Sequence, residues 1–274
     1  MKKLVLILVV LTVGYGCKEK FVPYVVDKDE IQRYLDSTEI GRDLFRWDSL
    51  IIPMDYALPF GSATWRDTVL SHERLTTINI ASEPTDFGTP IGIKRTADIK
   101  VTDIFGVRTR RIYATDTTYI DADRIVNRQA MFIKLGSDLE PYVGWVLWKY
   151  RGSTDPLRVL TLIKLPNQTA SAVDQDQLVK LTDIKTFTDG VTLILNTTSI
   201  IHDTLRQPML LLTAATDGGF VQRNMTKIDR QHYTDTLKTP TNNSRLWNLI
   251  FIQTFHDNEF FFTGGFFIPY RIPQ

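Results

Sequence analysis

The sequence predicts an α+β protein that is mostly β: N-terminal helices on a curved antiparallel sheet, followed by a C-terminal antiparallel β-sandwich. Three observations predict it. Apolar residues recur at helical spacing only between Asp27 and Trp47, β-branched and aromatic runs take over beyond Trp65, and Asp-Gly or Asp-Asn turns punctuate the second half. The expected division is 1–16 as a signal peptide, 17–26 as a tether, 27–152 as the α+β domain and 156–274 as the all-β sandwich.

The chain opens on Met1-Lys2-Lys3, the apolar run Leu4 to Val13, and Gly14-Tyr15-Gly16-Cys17. A charged start, a short apolar core and small residues before a cut are the parts of an export signal. The run is half the length of about 20 residues needed to cross the hydrocarbon core. Cys17 is the sole cysteine of the chain, so neither an intrachain disulfide nor a thiolate metal site is available. Gly14-Tyr15-Gly16-Cys17 resembles the lipobox of bacterial lipoproteins. That resemblance implies lipid attachment at Cys17 and a membrane-held envelope protein. Lys18 in place of Asp implies the outer membrane, on its periplasmic face or at the cell surface, and Lys18-Glu19-Lys20 is similar to a surface-export tag. The same residues also make a small-x-small site for ordinary signal peptidase, which would leave Cys17 unmodified.

Without residues 1–16 the chain retains 30 basic and 31 acidic side chains. That balance lacks the basic surface on which nucleic-acid binding rests, so no nucleic-acid partner is expected.

Residues 18–26 read as a tether with Pro23. Asp27 followed by Glu30 fits a capping box, with Ile31, Tyr34 and Leu35 on one face. Asp36-Ser37-Thr38 then punctuates the chain, and Ile40, Leu44 and Trp47 recur at i, i+4, i+7, giving two short helices or one bent at Gly41. These aromatics read as core. Pro53 and Pro59 exclude a regular helix over 51–60. Leu75 to Ile80 and Ala97 to Tyr113 are strands, the second with Ile99, Val101, Phe105 and Val107 on one side and a bulge or bend at Gly106. Ile125–Leu135 and Val143–Tyr150 form a hairpin around Gly136-Ser137-Asp138.

Met131 and Ile133 alternate with Ala130 and Phe132, and Trp145 and Leu147 with Val146 and Trp148, so both sheet faces carry apolar residues and both need cover. Leading helices followed by strands ending in Phe132-Ile133-Lys134-Leu135 and Gly144-Trp145-Val146-Leu147 resemble the nuclear-transport-factor-2-like (SnoaL-like) cone. That resemblance implies helices over one face of the sheet and a second domain or subunit over the other.

Arg151 to Pro156 is the expected boundary. Beyond it, Asp189-Gly190, Asp217-Gly218-Gly219 and Asp257-Asn258 each join two β-rich runs, the hairpin signal of a sandwich. Gly264-Gly265 predicts a break or a bulge in the last strand, and Pro269 fits an edge strand or a strand end. Phe260-Phe261-Phe262 and Phe266-Phe267 must place aromatics on both faces, which predicts docking between the two halves.

No catalytic site, cofactor site or metal site is predicted. His72, His202, His232 and His256 lack ligand spacing. His72-Glu73, with Asp67 and Trp65 nearby, is the one local cluster of imidazole, carboxylate and large aromatic, and reads as a solvated β-edge. Asp121-Ala122-Asp123 and Asp174-Gln175-Asp176 lack the glycine and closing Glu of a calcium loop and read as turns. The function expected first is a non-enzymatic, lipid-anchored accessory or interaction module of the cell envelope, with an envelope protein or a second copy as partner. The alternative is a binding module for a small apolar or sugar-like ligand, held in the cone or against Trp145, Trp148 or Trp247. A hydrolase or isomerase using His72 comes last.

Overall fold

The computed structural model describes residues 23–48, 50–51, 55–57, 63–82, 90, 92–93, 95–152, 159–173, 177–199, 208–241, 245–256 and 261–273. The signal segment, Cys17, His202, Asp174-Gln175-Asp176 and the Asp257-Asn258 turn lie outside the described residues.

Two helices come first, as expected, α1 (Pro23–Ser37) and α2 (Glu39–Leu44). Helix α1 starts four residues before the expected Asp27 cap, with Pro23 at the position where its missing N–H costs nothing. Asp27 is instead an interior helix residue whose carboxylate turns onto the sheet. Its Oδ1 accepts from Lys134 Nζ at 3.2 Å and Trp145 Nε1 at 2.9 Å, and its Oδ2 lies 2.6 Å from Arg95 Nη2. Thr38 breaks the two helices. Its hydroxyl donates to Tyr34 O at 2.7 Å and accepts from Gly41 N at 3.0 Å, an N-cap for α2.

Apart from two short 3₁₀ turns, the remaining elements among the described residues are strands. The first sheet runs β1 (Asp55–Ala57), β2 (Thr64–Ala81), β3 (Thr96–Tyr113), β4 (Asp116–Lys134), β5 (Trp145–Arg151) and, last in the order, β8 (Val179–Lys180), with every pairing antiparallel. The predicted hairpin of β4 and β5 is present. The register slips between Val69 and Ser71 opposite Gly106, where a Cβ would stand 2.4 Å from Ser71 Oγ. The bulge read at Gly106 therefore belongs to its partner strand, and a side chain at Gly106 would have to turn the Ser71 hydroxyl aside. Asp121 is not in a turn. It lies in β4 and takes Arg108 of β3 in a two-bond pair at 2.8 and 2.7 Å.

A five-stranded sheet has the order β12 (Thr226–Lys227), β13 (His232–Lys238), β9 (Thr192–Ser199), β6 (Val159–Lys164), β7 (Ser171–Val173). A four-stranded sheet has the order β11 (Gly219–Asn224), β10 (Pro208–Thr216), β14 (Trp247–His256), β15 (Phe261–Arg271). The Asp217-Gly218 hairpin is as predicted, and a register shift beside Gly264 bulges β15, which lies at the sheet edge where Pro269 is tolerated. The Asp189-Gly190 turn does not join two strands. The run before it holds a short 3₁₀ turn (Leu181–Asp183) and a parallel bridge from Thr186 to Arg271.

The two halves interlock through the four-stranded sheet, because its strands are apolar on both faces. Ile250, Ile252, Phe266 and Ile268 pack with Leu193, Leu195 and Tyr233 of the five-stranded sheet in a sandwich-like core. The alternate residues Trp247, Leu249, Phe251 and Phe267 join Ile31, Leu44, Ile99, Phe105 and Phe132 in a second core under α1, α2 and the first sheet. Adjacent Phe266 and Phe267 thus serve different cores, the docking expected of them. The junction is tight. A Cβ on Gly152 would lie 2.2 Å from Phe267 O, a backbone atom that cannot step aside alone. Gly152→Ala is expected to cost about 1–3 kcal/mol through forced backbone movement, read as a lower urea midpoint at unchanged slope.

Candidate functional site

The inner face of the first sheet carries charge among its apolar side chains, and most of it converges on Asp103 of β3. Asp103 is fully buried. Its Oδ1 accepts from His72 Nε2 and Arg74 Nε, each at 2.8 Å, and its Oδ2 accepts from Arg74 Nη2 at 3.1 Å and from Arg128 Nη2. A carboxylate only accepts, so the proton of His72 sits on Nε2. Burial pushes the Asp103 carboxyl up, but Arg128, Arg74 and His72 together outweigh it and hold the group below the usual aspartate range.

The same two arginines reach past Asp103 to the end of α2, whose last carbonyls have no partner within the helix. Arg128 Nη1 donates to Leu44 O at 3.2 Å and Arg46 O at 2.8 Å, and Arg74 Nη2 donates to Phe45 O. Tyr150 Oη adds a bond to Leu44 O at 3.1 Å, and burial drives its phenol well above the ordinary value. Cations at a helix C-terminus are also favoured by the helix dipole. The cluster therefore fastens the segment 44–46 to the sheet.

That segment forms one wall of a cleft of about 690 Å³. Arg42, Arg46, Arg74 and Arg245 contribute guanidinium groups, and Asp36, Glu39, Asp43 and Asp48 contribute carboxylates. Three of these carboxylates are engaged: Asp36 by Gln32 Nε2, Glu39 by Leu246 N at 3.1 Å, and Asp48 by Arg46 Nε at 3.2 Å. Asp43 differs. Its side chain is 9% exposed, Oδ1 lies 3.8 Å from Arg245 Nη1, and Oδ2 has no hydrogen-bond partner among the described residues. Burial raises its carboxyl above the usual range, against the opposing pull of Arg245. Trp47 completes the wall. One face of its ring stacks on His72 with centroids 3.9 Å apart, while 41% of the residue stays exposed.

No family model, no curated protein and no solved structure matches this chain.

His72 is not on a solvated edge. It points inward, sandwiched between Trp47 and Phe105, whose centroid is 4.9 Å away. Both ring faces are covered and Nε2 is spent on a carboxylate that two guanidinium groups already hold, so the pair works as part of the clasp on α2. Asp67 does not join it. Asp67 forms a second buried pair, 2.9 Å from Arg124 Nη1, and accepts from Thr109 Oγ1 at 2.7 Å. His232 pairs with Asp229 at the surface at 2.8 Å, and the side chain of His256 is outside what is described. Among the described residues no group of His, Cys, Asp and Glu could hold a metal ion, and no helix is long and apolar enough to cross a membrane.

Two of the three expected aromatic platforms are core residues. Trp145 is buried with its N–H on Asp27, and Trp247 lies in the core shared by the halves. Trp148 is partly exposed but carries Lys149 Nζ over its ring at 4.2 Å. The exposed aromatic at the cleft is Trp47, beside the buried Phe45, and its i+7 spacing from Ile40 assigned it to the core. Only the chain's exit from α2 after Leu44 turns it outward.

Proposed function

We propose that this chain is a lipid-anchored protein of the bacterial cell envelope, tethered through Cys17, whose folded part is a non-enzymatic binding module that takes a small polar ligand in the cleft beside α2. The observation that carries the reading is the cleft itself, with Asp43 buried and unsatisfied in its wall. Ligand sites are concave, and a few convergent polar groups set their specificity. The wall is preorganised, because Arg74 and Arg128 hold the backbone of 44–46 against Asp103. The anchor rests on Gly14-Tyr15-Gly16-Cys17 and the short apolar run before it, and the outer membrane on Lys18 after the cysteine. We further read the two helices and the first sheet as a cone of the nuclear-transport-factor-2-like kind, supported by helices preceding a sheet of long antiparallel strands, with the cleft where they meet.

Native mass spectrometry of the chain purified from envelopes tests both parts. A mature mass that starts at Cys17 and includes acyl chains supports the anchor, and an unmodified Cys17 refutes it. A small molecule retained by the wild type and lost from Arg42→Ala supports the cleft. Retention by neither counts against it. Arg42 makes no side-chain hydrogen bond among the described residues, so its removal leaves the fold intact.

A protein partner is the second reading. Its support is the outer face of the first sheet, where Leu75 and Ile125 are 48% and 47% exposed beside the cross-strand neighbour Ile104.

A further inference from the structure

The cleft's unmet hydrogen-bonding needs select among ligand classes. Asp43 lines it with a side chain nine-tenths buried, an Oδ2 without a donor among the described residues, and an Oδ1 beyond hydrogen-bond distance of Arg245. A buried acceptor left in that state carries a desolvation cost that a bound donor would remove. The donor could be an ammonium or a hydroxyl.

The surroundings decide between them. The field at Asp43 includes Arg245, Arg46 and Arg42 on one side and Glu39 on the other, so the cations outnumber the anion facing it. An ammonium group would meet three guanidinium groups on its way to one carboxyl that burial already biases toward the neutral form. A neutral hydroxyl meets no such repulsion. It can donate to Asp43 while neighbouring hydroxyls accept from the arginines.

Trp47 adds a shape requirement. Trp47 lines the cleft and is 41% exposed, with His72 stacked on one face of its indole. An indole attracts flat apolar surface, and a ring bearing C–H groups on its faces and hydroxyls on its rim satisfies both the indole and the charged walls.

We propose that the cleft is a saccharide site for a neutral pyranose unit, which stacks on Trp47 and donates a ring hydroxyl to the Asp43 carboxyl. The proposal rests on the reading of the cleft as a binding site and adds the class of ligand. Arg42 and Arg46 supply donors to the remaining hydroxyls. Arg74 has only Nη1 left to offer, because Asp103 and Phe45 O take its Nε and Nη2.

The test is a proton–nitrogen NMR titration of the folded full-length mature chain, following the Trp47 indole N–H. The probes are methyl glucoside, methyl galactoside, methyl mannoside and the neutral disaccharide cellobiose, alongside methyl glucuronide, acetate and ethanolamine. The expected result is a saturable shift of Trp47 with at least one neutral glycoside, weakened about tenfold or more in Asp43→Asn, which replaces one of the two acceptor oxygens by an amide nitrogen that can only donate. Trp47→Phe, which keeps an aromatic face over His72, is expected to weaken the same glycoside less than Asp43→Asn does. A shift of Trp47 with glucuronide, acetate or ethanolamine and with none of the neutral probes overturns the saccharide assignment while leaving a binding cleft. Silence with every probe overturns the assignment, and retention by native mass spectrometry then decides the cleft on its own. An unchanged affinity in a folded Asp43→Asn also overturns the proposal.

Discussion

Asp103→Asn is expected to remove about 3–5 kcal/mol of folding stability, because it strands the fully buried Arg128 without a counter-charge. The substitution preserves shape, so the loss reports charge rather than packing. Arg74, 27% exposed, can turn to water, but Arg128 cannot. The double variant Asp103→Leu with Arg128→Met removes both buried charges and is expected to recover most of the loss, since a buried ion pair is often matched by apolar residues of similar volume. What the double variant does not restore is the hold on α2, because the bonds from Arg128 to Leu44 O and Arg46 O go with the arginine. Hydrogen exchange should therefore show 40–48 opening more readily in the double variant even where global stability returns. If exchange there is unchanged, the cluster does not position the cleft wall.

The same carboxylate sets an acid limb. The folded value of Asp103 lies below the unfolded value of about 4. Its contribution is complete above pH 4 and is lost as the pH falls through the lower folded value. Wild-type stability should drop over that interval, and Asp103→Asn should show a shallower slope there.

Phe267→Ala is expected to cost about 3–5 kcal/mol, the range for deleting a buried aromatic side chain. Phe267 is 2% exposed, stacks on Phe251 with centroids 4.5 Å apart, and lies under the Arg128 guanidinium at 4.7 Å. It sits in the core between the first sheet and the four-stranded sheet, so its loss is felt from both halves. Unfolding followed by near-ultraviolet circular dichroism and by tryptophan fluorescence should remain one coincident transition, shifted as a whole. Two separated transitions would mean that the halves are independent units despite the shared sheet.

Much of the architecture was legible because strands and turns carry local signatures. The alternation of Ile99, Val101, Phe105 and Val107 placed one face of β3 inward, Asp217-Gly218 placed a hairpin, and Phe266-Phe267 announced a strand with two covered faces. The failures are equally local in origin. Asp27 has the spacing of a cap, yet Lys134 and Trp145, more than a hundred residues away, claim its carboxylate inside a helix that begins earlier. His72-Glu73 looks like a polar edge because nothing near it in sequence indicates Asp103. The Val69/Ser71 slip belongs to pairing with Gly106, and only one of the two strands shows it.

The candidate site was the least legible part. Arg74, Asp103 and Arg128 lie on three neighbouring strands, and in single-strand patterning each looks like an outward polar residue or a break in an apolar face. Cys17 and its preceding run, the balance of charge, the β-rich class and the helical start follow from the sequence alone, because composition and short-range periodicity carry them. The shared central sheet, the clasp of Asp103 on the end of α2, and the cleft with Asp43 and Trp47 in its wall were decided by tertiary structure. A buried charge is stable only where distant partners converge on it, and that convergence is a property of strand register that no single stretch of chain records.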